Sequence, residues 1–126
     1  MKVESEKPSV LETLGFFVSK LLYNLLMDTY PSLDELLLKL KTILPSIQEK
    51  FHVESLEIFG SFLRGEETPE SDLDLLVTFS ETPGLFTFVR LENHLSDSLG
   101  VRVDLVMKDS LKPNIGERIL AEAQPI

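Results

Sequence analysis

The chain has 126 residues with 12 Lys plus Arg, 21 Asp plus Glu, a net charge of -9, 43% hydrophobic residues and no cysteine. That length suits one compact domain with a modest core, and the missing cysteines exclude a disulfide frame or a thiolate metal site and agree with a reducing cytoplasm. The negative balance argues against a protein that holds nucleic acid by neutralising phosphates and favours a small substrate carried by metal, or a basic protein partner.

Residues 1 to 8 are polar and read as a frayed end. Ser9 and Glu12 form a capping box. Leu11, Leu14, Val18, Leu21, Leu22 and Leu25 then recur at helical spacing. Lys20 and Asn24 interrupt this greasy stretch, which is too short to span a bilayer and lacks the basic start and cleavage site of a signal peptide. An N-terminal extension, residues 1–32, is therefore expected to carry an amphipathic helix, packed on the following domain or offered to a partner. Ser32 and Glu35 form a second capping box before Leu33, Leu36, Leu37, Leu40, Leu44 and Ile47. Pro45 is expected to kink or break that helix, because it lacks an N–H and crowds the preceding turn.

A first strand is expected over Ser55 to Phe59, stopping at Gly60-Ser61. Ser61 to Arg64 should open a short helix, with a polar loop after it. A second strand runs from Leu73 to Phe79, and Asp72 and Asp74 at its start lie two residues apart, so they share a face. Thr82-Pro83-Gly84 is a turn. Leu85, Phe88, Leu91, Leu95 and Leu99 mark an amphipathic helix closed by Gly100. Val101 to Met107 reads as a third strand with Asp104 in its middle. After Lys112-Pro113, Asn114 can cap a last helix that turns Ile119 and Leu120 inward.

The acids carry the chemistry. Two like charges placed together raise each other's pKa unless a cation sits between them. An unpaired carboxylate inside a strand costs several kcal/mol or stays protonated, and a metal shared by Asp72, Asp74 and Asp104 removes that cost. A glycine turn lets phosphate oxygens approach backbone N–H groups. Taken singly, each residue has a plainer reading: Gly60 as a turn, Ser61 as a helix cap, Asp72 as a turn cap, Arg64 as a surface arginine or a partner of Asp72.

Gly60-Ser61, the ten residues 62–71, Asp72-x-Asp74 and the later Asp104 together resemble the nucleotidyltransferase superfamily of DNA polymerase beta. Phe59-Gly60-Ser61-x-x-Arg64-Gly65, Ser71-Asp72-Leu73-Asp74-Leu75-Leu76-Val77, Val103-Asp104-Leu105-Val106 and Ile119-Leu120-x-Glu122-Ala123 resemble its minimal nucleotidyltransferases, the MNT antitoxins paired with HEPN-domain toxins. The resemblance covers roughly residues 33–126 and leaves 1–32 outside. It implies an α+β minimal nucleotidyltransferase domain over 33–126, a mixed three-stranded sheet flanked by helices, with the N-terminal helix as an extra element. It also implies a cytoplasmic antitoxin that transfers AMP from ATP to a hydroxyl, typically of tyrosine, on a HEPN ribonuclease toxin within a heteromeric complex. No membrane and no direct nucleic-acid partner are expected. Two-metal chemistry assigns the roles. Asp72 and Asp74 would hold two Mg²⁺ ions, and Asp104 would be a metal ligand and the base. Gly60 and Ser61 would cradle the β- and γ-phosphates, with the short helix's N-terminus toward them. Arg64 would offset leaving-group charge. The alternatives are an antitoxin that inhibits by binding alone, and a nucleotidyltransferase acting on a small molecule or an RNA end.

Overall fold

The computed structural model describes residues 14, 15, 18–22, 25 and 31–126. The chain divides into two units, Met1–Tyr30 and Pro31–Ile126. In the first, the described residues are helical, in keeping with the apolar spacing of Leu14, Val18, Leu21, Leu22 and Leu25. The expected Ser9–Glu12 capping box and Leu11 lie outside the described residues.

The second unit begins at its cap. Ser32 is the N-cap of α1 (Leu33–Phe51), and its hydroxyl accepts from the Glu35 N–H at 3.2 Å. The helix runs through Pro45 instead of breaking there. Pro45 and Lys41, one turn before it, are both exposed, so water can serve the carbonyl that loses its helical donor. His52 ends α1 with φ 57, and its carbonyl accepts from the Ser80 N–H at 2.8 Å.

Four strands follow: β1 (Val53–Phe59), β2 (Leu73–Phe79), β3 (Val103–Met107) and β4 (Gln124–Pro125). Their order is β3-β2-β1-β4; β2 and β3 run parallel, and the other pairs are antiparallel. The sheet is mixed, as expected, and β4 adds a fourth strand to the three that the pattern suggested. Between the strands lie α2 (Ser61–Arg64), α3 (Leu85–Leu99) and α4 (Pro113–Glu122). The α3 crossover makes the β2–β3 pair parallel, because two parallel strands cannot be joined by a hairpin. Gly100 closes α3 in the left-handed region, φ 71, with its N–H on the Ser96 carbonyl. Lys112, not Asn114, is the N-cap of α4. Pro113 takes the first helical position, where its fixed φ fits and its missing N–H would have had no helical partner.

Period-two alternation divides the sheet. Leu56 and Ile58 of β1, Leu73, Leu75 and Val77 of β2, and Val103 and Leu105 of β3 are buried. The register sets Leu56 opposite Val77, Ile58 opposite Leu75 and Leu73 beside Val103, so they share one face. α1 and α3 cover it with Leu36, Leu40, Ile47, Leu91, Leu95 and Leu99. The opposite face carries Glu57, Asp74, Leu76, Asp104 and Val106, of which Leu76 is buried, and among the described residues no long helix packs on it. The outer edge of β3 is also closed. The Val103 N–H donates to Ser96 Oγ and the Leu105 N–H to Glu92 Oε2, both at 3.0 Å. Side chains from α3 thus occupy donors that would otherwise invite another strand.

Truncation should separate core from surface. Leu95→Ala should cost about 2–5 kcal/mol, and Leu38→Ala, at a position 68% exposed, should stay within about 0.5 kcal/mol. Urea unfolding followed by circular dichroism measures both; equal effects would contradict the face assignment.

Candidate active site

β1 ends at Phe59, and the backbone turns at Gly60 with φ 84. That conformation favours glycine, and space requires it as well. A Cβ on Gly60 would sit 2.9 Å from Asp74 Cγ and closer still to Asp74 Oδ2. The register explains the approach, because Phe59 lies opposite Asp74. Phe62, 1% exposed, anchors α2 just beyond the turn. The Arg64 N–H donates to the Gly60 carbonyl at 3.1 Å, and the Glu66 N–H donates to the Ser61 carbonyl at 2.9 Å. Gly60, Ser61 and Arg64 therefore form one short hydrogen-bonded unit at the end of β1.

The three acids meet this unit from β2 and β3. Asp74 and Asp104 are register partners on the parallel pair, so they point to the same face at about the strand spacing of 4.8 Å. Asp74 is half-buried and its carboxyl is pushed up to about 6, first by burial, then by the charges of Asp104 and Asp72; Arg64 pulls the other way and Glu122 adds a smaller push up. Asp104 is exposed, so the burial cost expected for it does not arise. Its place in the site comes from its register with Asp74. Asp72 precedes β2, and its Oδ1 accepts from Arg102 Nε at 2.6 Å. Among the described residues, no three acids, histidines or cysteines are drawn together tightly enough to ligate one ion as they stand. Asp72 and Arg102 are both well exposed, 39% and 75%, and such a pair is worth about 0–1 kcal/mol. The pairing is therefore easily exchanged, whereas the neighbourhood of Asp74 and Asp104 is fixed by the strands.

Arg64 is not the partner of Asp72. Its Nη1 lies 2.6 Å from Glu122 Oε1 and its Nε 3.0 Å from Glu66 Oε2. Its pKa is raised by the hydrogen bonds to Glu66 and then to Glu122. Glu122 Oε1 also accepts the Gly60 N–H at 3.1 Å. Sequence reasoning singled out neither Arg102 nor Glu122 for the site. Arg102 directly precedes β3, two residues from Asp104, and alternation alone could have put it with the acids. Glu122 stood in the C-terminal motif Ile119-Leu120-x-Glu122-Ala123, but its contact with Gly60 and Arg64 depends on the strand that follows it and pairs with β1.

The model of the nucleotidyltransferase domain family matches residues 40–126. A protein adenylyltransferase, MntA, of Thermococcus cleftensis is 49% identical over 76 residues, 60% of this chain and 77% of the relative. A solved structure described as a minimal nucleotidyltransferase superposes with a TM-score of 0.67 at 38% identity, covering 78% of this chain and 99% of that one. The fold also recurs in a structure of a tri-AMPylated Shewanella oneidensis HEPN toxin with an MNT antitoxin, at a TM-score of 0.54 and 18% identity, over 71% of this chain and 70% of that one.

The raised carboxyl of Asp74 gives a pH prediction. Its folded pKa, about 6, lies above the ordinary 3.8, so the folded state binds its proton more tightly. The stability linked to that proton is full below about pH 3.8 and is lost as pH rises through about 6. Asp74→Asn should therefore raise Tm by a few degrees at pH 7.5 without divalent cations, and the gain should vanish near pH 4. Thermal melts across that range decide it; an equal shift at both ends would contradict the assignment.

Proposed function

The chain belongs to the nucleotidyltransferase domain family, with the fold of a minimal nucleotidyltransferase, and we propose that it transfers AMP from ATP to a hydroxyl of a protein partner. One observation carries the reading: Asp74 and Asp104 stand in register on the open face, beside the turn Gly60-Ser61 and Arg64. The partner is a HEPN-domain ribonuclease toxin and the acceptor a tyrosine hydroxyl. A relative named protein adenylyltransferase and a fold neighbour solved with a tri-AMPylated HEPN toxin support that choice. AMP on the toxin adds bulk and negative charge where RNA phosphates would bind, and so neutralises it.

The donor set suits Mg²⁺, since carboxylate oxygens are hard ligands, and burial together with the charges of Asp104 and Asp72 raises Asp74, a cost that a divalent cation would offset. Asp74 and Asp104 would hold it, with Asp72 joining on release from Arg102. When bound, Mg²⁺ supplies charge stabilisation at the phosphates and lowers the pKa of the acceptor hydroxyl. The other steps belong to side chains and backbone. The Gly60-Ser61 turn holds the β- and γ-phosphates, aligning the α-phosphorus with the acceptor. Asp104 takes the acceptor proton on a carboxylate oxygen. The acceptor oxygen attacks the α-phosphorus, its bond to the bridging oxygen breaks, and pyrophosphate leaves. Arg64 offsets the charge that gathers on the leaving group.

The experiment combines purified protein, Mg²⁺, α-labelled ATP and the gene product proposed as partner, a HEPN-domain toxin. Label on that product supports the proposal. Inhibition of the product without label would mean neutralisation by binding alone, and label on a small molecule or RNA would mean another acceptor. Asp104→Asn should still bind Mg-ATP but lose about 10²–10⁴-fold in transfer, read as the intact mass of the partner over time. Wild-type rates in that variant would remove Asp104 from the base role.

A further inference from the structure

We infer that Glu122 is a positioning residue for the nucleotide phosphates, acting through Arg64 and the Gly60 amide from the C-terminal end of the fold. The inference rests on the nucleotide-binding reading of the Gly60-Ser61 turn and adds a residue to it.

The backbone dictates the placement. β4 pairs with β1 so that Gln124 lies opposite Ile58 and Pro125 opposite Glu57. The Ile126 N–H continues the ladder to the Leu56 carbonyl at 3.1 Å. Carried two residues the other way, the same register sets Glu122 opposite Gly60. Glu122 is also the last residue of α4, and the Ala123 N–H closes that helix on the Ile119 carbonyl at 2.8 Å. A helix end on one side and a strand ladder on the other hold its backbone.

Its side chain uses that position fully. One oxygen, Oε1, accepts both the Gly60 N–H at 3.1 Å and Arg64 Nη1 at 2.6 Å. The side chain is only 27% exposed, and Gly60 is buried, so this amide cannot turn to water if the carboxylate leaves. Glu66 holds Nε of the same guanidinium at 3.0 Å. The two carboxylates fix the plane of Arg64, while its remaining N–H groups stay available to a phosphate. A competing role is conceivable, in which Glu122 mimics a phosphate and must be displaced by it. The anchoring argues against displacement: the Glu122 backbone is held by a helix end and a strand ladder, and its side chain is only 27% exposed.

The test is a double-mutant cycle on Mg-ATP affinity, by calorimetry, with wild type, Glu122→Gln, Arg64→Ala and the double variant. Glutamine keeps an acceptor oxygen near Gly60 and removes the charge that holds Arg64. Glu122→Gln should weaken the Kd about tenfold, the scale of one charge-assisted contact. In the Arg64→Ala background the same change should alter Kd by less than about twofold, because the effect passes through Arg64. A merely structural role would weaken binding equally in both backgrounds, and Tm measured alongside would fall in parallel with it. Unchanged or tighter binding by Glu122→Gln, or an equal loss in both backgrounds, overturns the inference and leaves the nucleotide reading intact. A wild-type protein that does not bind Mg-ATP overturns both.

Discussion

The close approach of the Asp74 carboxylate to Gly60 is the constraint on which the rest of the site depends. It follows from the antiparallel pairing of β1 with β2, which sets the end of one strand against the start of the other. No side chain fits at Gly60 while Asp74 keeps its place, and the positive φ there disfavours one as well. An acid is thereby held against the end of a strand whose next residues form a turn of backbone amides. The closeness has an energetic consequence: half-buried and beside two other carboxylates, Asp74 favours its proton up to about pH 6. The fold tolerates this because the neighbours of Asp74 in sequence, Leu73 and Leu75, are fully buried on the opposite face. The strand that carries this carboxyl is also one of the best-anchored in the sheet.

Segregation of the two faces explains why so small a chain can hold both a core and an active centre. Both long helices lie on one side, and the acids occupy the other. The parallel β2–β3 pair makes the arrangement exact in register, bringing Asp74 and Asp104 side by side although they are separated by a helix in sequence. That same helix protects the exposed edge of β3 through Ser96 and Glu92. Glu92 therefore works for the sheet, and the acids of the open face are left to the site.

What could be read in the sequence was whatever is local. The cap at Ser32, the stop at Gly100, the apolar stripes of α1 and α3 and the alternation of β2 each lie within one element, and spacing alone reveals them. The chain of glycine turn and spaced acids was legible for the same reason. The helix does not break at Pro45, because the effect of a proline depends on exposure: an exposed helix face lets water take over the carbonyl that a buried one would leave bare. β4 has two residues, one of them proline, and no period can be seen over two residues. Glu122 was named only as part of a motif and Arg102 not at all, because their places beside the site arise from register, a property of two elements at once. Asp104 was found, but partly on the wrong ground, since its place comes from its partner strand and not from burial.

The charges of the open face fit one another in a way that bears on the substrate. Arg64 is held by Glu66 and Glu122, Arg102 by Asp72, and Lys108 by Glu57 at 2.7 Å. Each of these cations is thus met by a carboxylate, and Asp74 and Asp104 add further negative charge to the same surface, on a chain whose net charge is already -9. A bare triphosphate approaching this face would meet repulsion at every distance where charge is felt. In the proposed function, a divalent cation carried by the triphosphate would weaken that repulsion and give the acids a local contact. The field that repels free anions also draws a basic protein surface, and it does so before any contact forms. On the proposed reading, one property, the neighbouring carboxylates of Asp74 and Asp104 on an acidic chain, would serve both a metal-carried nucleotide and a basic acceptor protein.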